Sequence, residues 1–183
     1  MIRVGQRLKI SGNAADPDLA DSVVREIERP KVTPGQWKYI VVHHSGASQG
    51  SAESIDRYHR EERRMENGLA YHFVIGNGRG GMKDGEIAVG GRWKNQIQGG
   101  HLASPALNRV SIGICLIGDF EKTKPSTKQI RSLISLCHYL LVDLSMNRSA
   151  LQIHKQINPK PTKCPGKYFP TTLVEGAIRQ RMP

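Results

Sequence analysis

Residues 39–46 of the chain read YIVVHHSG, a short β-branched run that ends in two histidines. An apolar run without polar alternation is typical of a strand that is buried on both faces. We therefore predict a buried strand over Tyr39–His43, with His43 and His44 at the point where the strand opens into a loop.

Strand-like and helix-like segments alternate on either side of this run. Further strands are predicted at Ala70–Ile75, Val110–Ile117 and Leu151–His154, and helices at Ser51–Arg64, Ser126–Leu144 and Leu173–Ile178. Residues 76–108 are rich in glycine and predict a long loop region, interrupted by Ile87–Val89. Strands interleaved with helices indicate an α/β fold in which helices flank a sheet.

Residues 1–36 are predicted to be an N-terminal extension, and residues 37–183 the main domain. Asp16-Pro17-Asp18 is a helix-start signal, and Leu19, Val23 and Ile27 then recur at helical spacing until Pro30. This short helix either packs on the main domain or is the remnant of a linker. Both interpretations stay open from the sequence.

The net charge of +11 over 183 residues indicates an anionic partner, and 38% hydrophobic residues exclude a disordered chain. Nucleic acid is disfavoured, because aromatic residues make up only 5% and no RRM, KH or helix-turn-helix pattern is present. No apolar run approaches the ~18 residues of a membrane span. The first residues hold no continuous apolar block, so we expect no signal peptide in the sequence as it stands.

Two histidines and a cysteine form a candidate metal site. Adjacent strand residues point to opposite faces, so at most one of His43 and His44 faces a given site. Cys164 lies ten positions after His154, and the two residues bracket a proline-rich turn, which suits Zn²⁺. Together with one histidine of the pair they give three ligands, the number found at catalytic zinc sites. The alternatives are a satisfied histidine pair and a free cysteine in a basic loop.

Tyr71 is a candidate hydrogen-bond donor in the segment AYHFVI. If Ala70–Ile75 is a regular strand, Tyr71 and Phe73 share one face and His72 takes the other. A tyrosine beside a metal site can donate to an oxyanion that develops in the transition state. The alternative is a tyrosine that only packs in the strand.

Four segments stand in order along residues 37–170: IVVHHSG, GLAYHFVIGNG, GGHLASPALNRVSIGICLIGDF and LQIHKQINPKPTKCPG. Together they resemble the zinc amidases of the N-acetylmuramoyl-L-alanine amidase type. That superfamily includes bacteriophage and bacterial amidases and animal peptidoglycan recognition proteins. The resemblance implies a central mixed β-sheet flanked by helices.

The resemblance also implies roles for individual residues. His43, His154 and Cys164 match the zinc ligands, with His44 outside the set, and Tyr71 matches the catalytic tyrosine of the lytic enzymes. Phage enzymes carry a catalytic lysine two residues before the cysteine.

In this chain that position is Thr162, so either Thr162 or the adjacent Lys163 is the second donor. His101 and Asn108 fall in the stretch that lines the family's substrate groove, although His101 alternatively holds its own loop. Recycling amidases have a glutamate and an aspartate where this chain has Cys115 and Cys164, which favours the lytic branch.

The expected reaction is hydrolysis of the amide between N-acetylmuramic acid and L-alanine in peptidoglycan. Expected partners are peptidoglycan or muropeptides, together with anionic wall polymers, in the cell envelope or outside the cell. Arg79, Arg92, Lys94 and Arg109 are candidates to hold such anions, or else belong to a solvated basic surface. The alternative function is a recognition module that binds peptidoglycan without cleaving it. Noncatalytic members typically lose the cysteine ligand, so the presence of Cys164 favours the enzyme.

Overall fold

A five-stranded mixed sheet forms the centre of the molecule, for which a computed structural model describes residues 19–182. The strands are β1 (Tyr39–His44), β2 (Phe73–Ile75), β3 (Ile87–Val89), β4 (Ser111–Leu116) and β5 (Leu151–Ile153). Their spatial order is β3-β2-β4-β1-β5, and every pairing is parallel except that of β2 with β3. The predicted α/β fold with a central mixed sheet is confirmed.

Helices connect the strands and flank the sheet. They are α1 (Asp21–Glu28), α2 (Ala52–Glu61), α3 (Gly91–Lys94), α4 (Pro105–Asn108), α5 (Thr127–Asp143), α6 (His154–Ile157) and α7 (Thr171–Arg181), with a 3-10 turn at Arg148–Ala150. The predicted helix at Ser126–Leu144 is α5, which begins with a reciprocal cap between Ser126 and Gln129. Gln129 also donates to the carbonyl of Ile117 at 2.8 Å, which ties α5 to the end of β4. Over residues 19–182, no helix combines the length and apolarity that crossing a membrane requires.

The two faces of the sheet differ in character. Ile40 and Val42 of β1 point into the large core, which α1, α5 and α7 cover. Alternation along the strand therefore turns Val41 and His43 to the opposite face. That face carries a small apolar cluster, formed by Leu69, Val74, Met82 and Ile117. It is the face on which polar side chains can meet.

The N-terminal helix packs on the main domain. Ile27 of α1 is 1% exposed and lies in the large core together with Leu19. The indole nitrogen of Trp93 donates to the carbonyl of Ile27 at 3.1 Å. The predicted start signal Asp16-Pro17-Asp18 lies outside the described residues. Residues 19–28 therefore pack against the main domain. The predicted domain boundary at residue 36 stays a prediction.

The second predicted strand is shorter than expected, and its face assignment was wrong. Only Phe73–Ile75 pairs as β2, because the amide of Gly113 in β4 donates to the ring of His72, and Ala70 is bonded to a helix and a loop. The amide of Ala70 donates to His59 Nδ1 of α2 at 3.0 Å, and its carbonyl accepts from Gly100 at 3.0 Å. As a result Tyr71 packs beside Val74 in the small cluster, whereas Phe73 lies in the large core.

Truncation of Ile27 tests the packing of α1. Ile27→Ala should lower the free energy of unfolding by about 2–5 kcal/mol, because it leaves a cavity in the core. Ser22→Ala, at an exposed position of the same helix, should change it by less than about 0.5 kcal/mol. Denaturant unfolding measures both. Equal and small effects would mean that α1 does not contribute to the core.

Candidate metal centre

The parallel pairing of β1 with β5 brings two histidines together. Val42 pairs with Ile153, so the next residues of the two strands, His43 and His154, leave the sheet side by side. Their ring centroids are 4.3 Å apart. His154 was predicted as the last residue of a strand; it is the first residue of α6 instead. The carboxyl ends of parallel strands are where α/β folds place their ligands.

The loop after α6 carries Cys164 back to these histidines. The amide of Lys155 donates to the carbonyl of Cys164 at 3.0 Å, which closes the loop. The hydroxyl of Thr162 accepts from the amide of Cys164 at 3.2 Å. The thiol then lies 3.7 Å from His43 Nδ1 and accepts from the amide of His44 at 3.3 Å.

Ligand-type atoms of His43, His154 and Cys164 all lie within 4.8 Å of one another. No other group of three histidine, cysteine or acidic residues this close occurs in the part of the chain that the structure describes. His154 Nδ1 is buried and has no hydrogen-bond partner there, as expected of an atom that faces a cation. His44 points elsewhere, because its Nδ1 accepts from the amide of Phe120 at 3.0 Å. The predicted trio is thus brought together without His44.

Burial favours neutral imidazoles in this cluster. It lowers the pKa of His43 well below the usual value, and the neighbouring His101 and His154 lower it further. Burial also lowers the pKa of His154. Burial raises the pKa of the Cys164 thiol to about 12, an effect that the amide of His44 partly offsets. A cation would reverse this last effect, since a coordinating thiol is deprotonated.

Tyr71 lies over the same cluster. Its ring centroid is 5.2 Å from that of His43 and 5.8 Å from that of His59. Burial raises the pKa of Tyr71 well above its usual value, and the Cys115 and Cys164 thiols add to this effect. The phenol therefore keeps its proton, and its hydroxyl shares a hydrogen bond with Cys115, the β4 residue opposite His43.

His101 and Asn108 lie in the interior of the protein next to the cluster. Both are buried, at 7% and 8% exposure. Asn108 Oδ1 accepts from the amides of His101 and Leu102 at 3.0 Å each, and its Nδ2 donates to the carbonyl of Leu102 at 2.8 Å. The polar atoms of Asn108 are thus occupied within the loop. The substrate contacts predicted for these two residues stay a prediction.

The ring of His101 contacts His43, one of the three candidate metal ligands. Its Nδ1 lies 3.0 Å from Nε2 of His43, and its Nε2 lies 3.3 Å from the carbonyl of Ser111. Sequence analysis missed this contact, because the two histidines are 58 residues apart on different elements. The sequence hinted at this contact only in that several of its predicted motifs contain a histidine.

The two candidates for the second donor differ in exposure. Thr162 is half-buried, and its hydroxyl accepts from Cys164, so its own proton remains available for donation. Lys163 is exposed.

The basic candidates also differ from one another. Arg92 is buried and donates to the carbonyls of Leu69 and Gln98. Lys94 pairs with Glu26 at 2.7 Å. Arg79 lines an open cavity of about 360 Å³ at the ends of β1, β2 and β4.

Comparison with known proteins identifies the family. The sequence model of the N-acetylmuramoyl-L-alanine amidases matches residues 33–167. The chain belongs to this family. It is 28% identical over 167 residues to peptidoglycan-recognition protein 1 of Holotrichia diomphalia, covering 82% of this chain and 78% of that protein.

Solved structures give the same result. The N-acetylmuramoyl-L-alanine amidase LysC from Clostridium intestinale superposes with a TM-score of 0.66 at 27% identity, covering 82% of this chain and 95% of LysC. Peptidoglycan recognition protein-LE, solved in complex with tracheal cytotoxin, superposes with a TM-score of 0.61 at 27% identity, covering 80% of this chain and 86% of that one. The relatives thus include both amidases and recognition proteins.

Asn108→Ala tests whether this side chain holds the loop. The substitution leaves the buried amides of His101 and Leu102 without an acceptor, and we expect the free energy of unfolding to fall by about 2–4 kcal/mol. Arg109→Ala, at the exposed next position, serves as the control and should change it by less than about 0.5 kcal/mol. A side chain that only contacts substrate would leave stability unchanged in both variants.

Proposed function

We propose that the chain is a zinc-dependent amidase that hydrolyses the amide bond between N-acetylmuramic acid and L-alanine in peptidoglycan. The convergence of His43, His154 and Cys164 within 4.8 Å is the observation that carries this proposal. The family match and the likeness to LysC supply the reaction class.

The donor set fits zinc. Two imidazoles and one thiolate are borderline-soft ligands, which Zn²⁺ prefers, whereas Mg²⁺ and Ca²⁺ prefer oxygen. The buried Nδ1 of His154, which has no hydrogen-bond partner, gives an independent indication that the site binds a cation. Three protein ligands are typical of a catalytic site that keeps one position open, while structural zinc sites have four. When bound, Zn²⁺ supplies a Lewis acid that polarises a carbonyl and lowers the pKa of water towards ~7.

Tyr71 supplies a hydrogen bond to the reacting group. In amide hydrolysis the carbonyl oxygen gains negative charge, and a preorganised donor stabilises it most where water is excluded. Tyr71 lies beside His43, and its raised pKa keeps the proton on the phenol. We assign it the role of a neutral donor, not a base.

Thr162 is the second donor in this proposal. Its hydroxyl holds the amide of Cys164 and keeps one proton to donate towards the substrate. A neutral hydroxyl makes a weaker hydrogen bond than a charged lysine, by roughly twofold. Lys163 is exposed and is assigned to contact with anionic wall polymers.

The partner of this site is peptidoglycan or a soluble muropeptide, and its place of action is the cell envelope or the space outside the cell. The complex of peptidoglycan recognition protein-LE with tracheal cytotoxin, described as monomeric diaminopimelic acid-type peptidoglycan, supports this class of ligand. The net charge of +11 favours an anionic polymer of this kind.

The alternative is a recognition module that binds peptidoglycan without cleaving it, and the likeness to peptidoglycan-recognition protein 1 favours it. The two functions are separated by one assay. Purified peptidoglycan is incubated with the chain, and new N-terminal alanine amino groups are counted with chelator, without it, and after Zn²⁺ is restored.

We expect amino-group release that chelator abolishes and Zn²⁺ restores. Cys164→Ser should bind no zinc and release nothing, while circular dichroism shows a folded chain, since the core lies on the other face of the sheet. Binding to peptidoglycan without release by the zinc-loaded wild type would establish the recognition module instead.

Tyr71→Phe tests the proposed donor. Loss of one preorganised donor should lower turnover by ~10²–10³ while zinc content stays unchanged. Tyr58→Phe, on the exposed side of α2 at 52% exposure, is the matched control and should turn over normally. Near-normal turnover of Tyr71→Phe would leave Tyr71 with a packing role only.

Substitutions at residues 162 and 163 decide between the two donors. Thr162→Ala should lower turnover about tenfold, equivalent to one hydrogen bond of about 1–1.5 kcal/mol, and Thr162→Ser should restore most of it. Lys163→Ala should mainly weaken binding to wall polymer and reduce its dependence on salt. Rates at saturating substrate measure the difference. The larger loss in Lys163→Ala would make Lys163 the donor.

A further inference from the structure

One buried histidine of the site has no role in the proposed reaction. His101 is 7% exposed, and its imidazole makes two hydrogen bonds, one at each nitrogen. Nδ1 lies 3.0 Å from Nε2 of His43, and Nε2 lies 3.3 Å from the carbonyl oxygen of Ser111. His101 thus connects a metal-ligand candidate to the backbone of β4.

The hydrogen-bond partners determine where the protons lie. A carbonyl oxygen only accepts, so Nε2 of His101 carries a proton and donates to Ser111. In a neutral ring the other nitrogen, Nδ1, is then an acceptor. Nε2 of His43 must therefore carry a proton and donate to it. This leaves the lone pair of His43 on Nδ1, the atom that lies 3.7 Å from the Cys164 thiol.

The structure leaves room for the His101 ring at two glycines. A Cβ atom on Gly113 of β4 would lie 2.7 Å from His101 Nε2, and one on Gly99 would lie 2.5 Å from the same atom. Both contacts are closer than a real Cβ allows. Asn108 holds the backbone of His101, because its Oδ1 accepts from the backbone amide of His101 at 3.0 Å. The ring of His101 therefore occupies a space that exists because Gly99 and Gly113 have no side chains.

We infer that His101 is a positioning residue that fixes the tautomer and orientation of His43, so that Nδ1 of His43 faces the metal. This inference rests on the proposed function only for the identity of the metal; the hydrogen bonds that carry it lie within the chain. A ligating histidine commonly donates its other N–H to an acceptor, and loss of that acceptor typically lowers metal affinity by about 10–100-fold.

A pair of substitutions separates positioning from packing. His101→Leu keeps an apolar side chain in the space but removes the acceptor for His43. His101→Gln offers a carbonyl oxygen to His43 and an amide donor to Ser111, so it can restore both hydrogen bonds. His72→Gln is the control, because His72 is a buried histidine whose ring nitrogens bond to the amide of Gly113 and the carbonyl of Ile97, and not to His43.

The first readout is the tautomer of His43, observed by ¹⁵N NMR of the full chain after zinc has been removed. We expect the Nε2–H tautomer in the wild type, in His101→Gln and in His72→Gln, and a mixture of tautomers in His101→Leu. A change that was merely structural would not move the proton of His43 while the rest of the spectrum stays native.

The second readout is zinc affinity, measured by competition with a chromophoric chelator. We expect His101→Leu to bind Zn²⁺ about 10–100-fold more weakly than the wild type, and His101→Gln and His72→Gln to stay within about threefold. The tautomer readout does not depend on zinc binding. If the wild type binds no zinc, the proposed function fails, and the tautomer of His43 still decides the inference.

Two outcomes overturn the inference. One is a wild-type His43 that carries its proton on Nδ1. The other is a folded His101→Leu with unchanged tautomer and unchanged zinc affinity. If His101→Leu does not fold, His101→Gln decides: a folded Gln variant that loses its zinc affinity tenfold or its Nε2–H tautomer contradicts the role, and one that keeps both supports it.

Discussion

The parallel pairing of β1 with both β4 and β5 is the constraint on which the site depends. The register sets His43 opposite Cys115 on one side and, one residue past the Val42–Ile153 pair, beside His154 on the other. The carboxyl ends of parallel strands lie at the same edge of a sheet. His43 and His154 therefore lie side by side although they are more than a hundred positions apart in the sequence. A shift of one residue in the register of β1 would place His44 at the site. The side chain of His43 would then point into the apolar core.

One face of the sheet packs on the apolar core, and the other face carries the candidate site. One face is covered by α1, α5 and α7, which pack over a continuous apolar core. The other face holds a small apolar cluster and the buried histidines. Gly113 marks the difference, because the absence of a side chain there admits the ring of His101. Substitutions on the site face can therefore change chemistry while the core stays intact.

The sequence predicted those features that local periodicity and motif order determine. The strand Tyr39–His43 and the helix α5 follow from apolar runs and caps. Ligand spacing indicated His154, Cys164 and one histidine of the pair, and the resemblance to the zinc amidases implied that this histidine is His43. The face of Tyr71 was predicted wrongly, because hydrogen bonds from α2 and from the 99–100 loop override strand alternation at Ala70. The contact of His43 with His101 joins residues 58 positions apart, and no local pattern reports such a contact.

The central claim is that His43, His154 and Cys164 bind one zinc ion. A crystal structure of the zinc-loaded chain, with diffraction data on both sides of the zinc absorption edge, tests it most directly. The account predicts one anomalous peak at ~2.0–2.1 Å from Nδ1 of His43 and a nitrogen of His154, and at ~2.3 Å from the sulfur of Cys164. A peak bound by His44, a peak distant from Cys164, or no peak in a zinc-saturated crystal would contradict it.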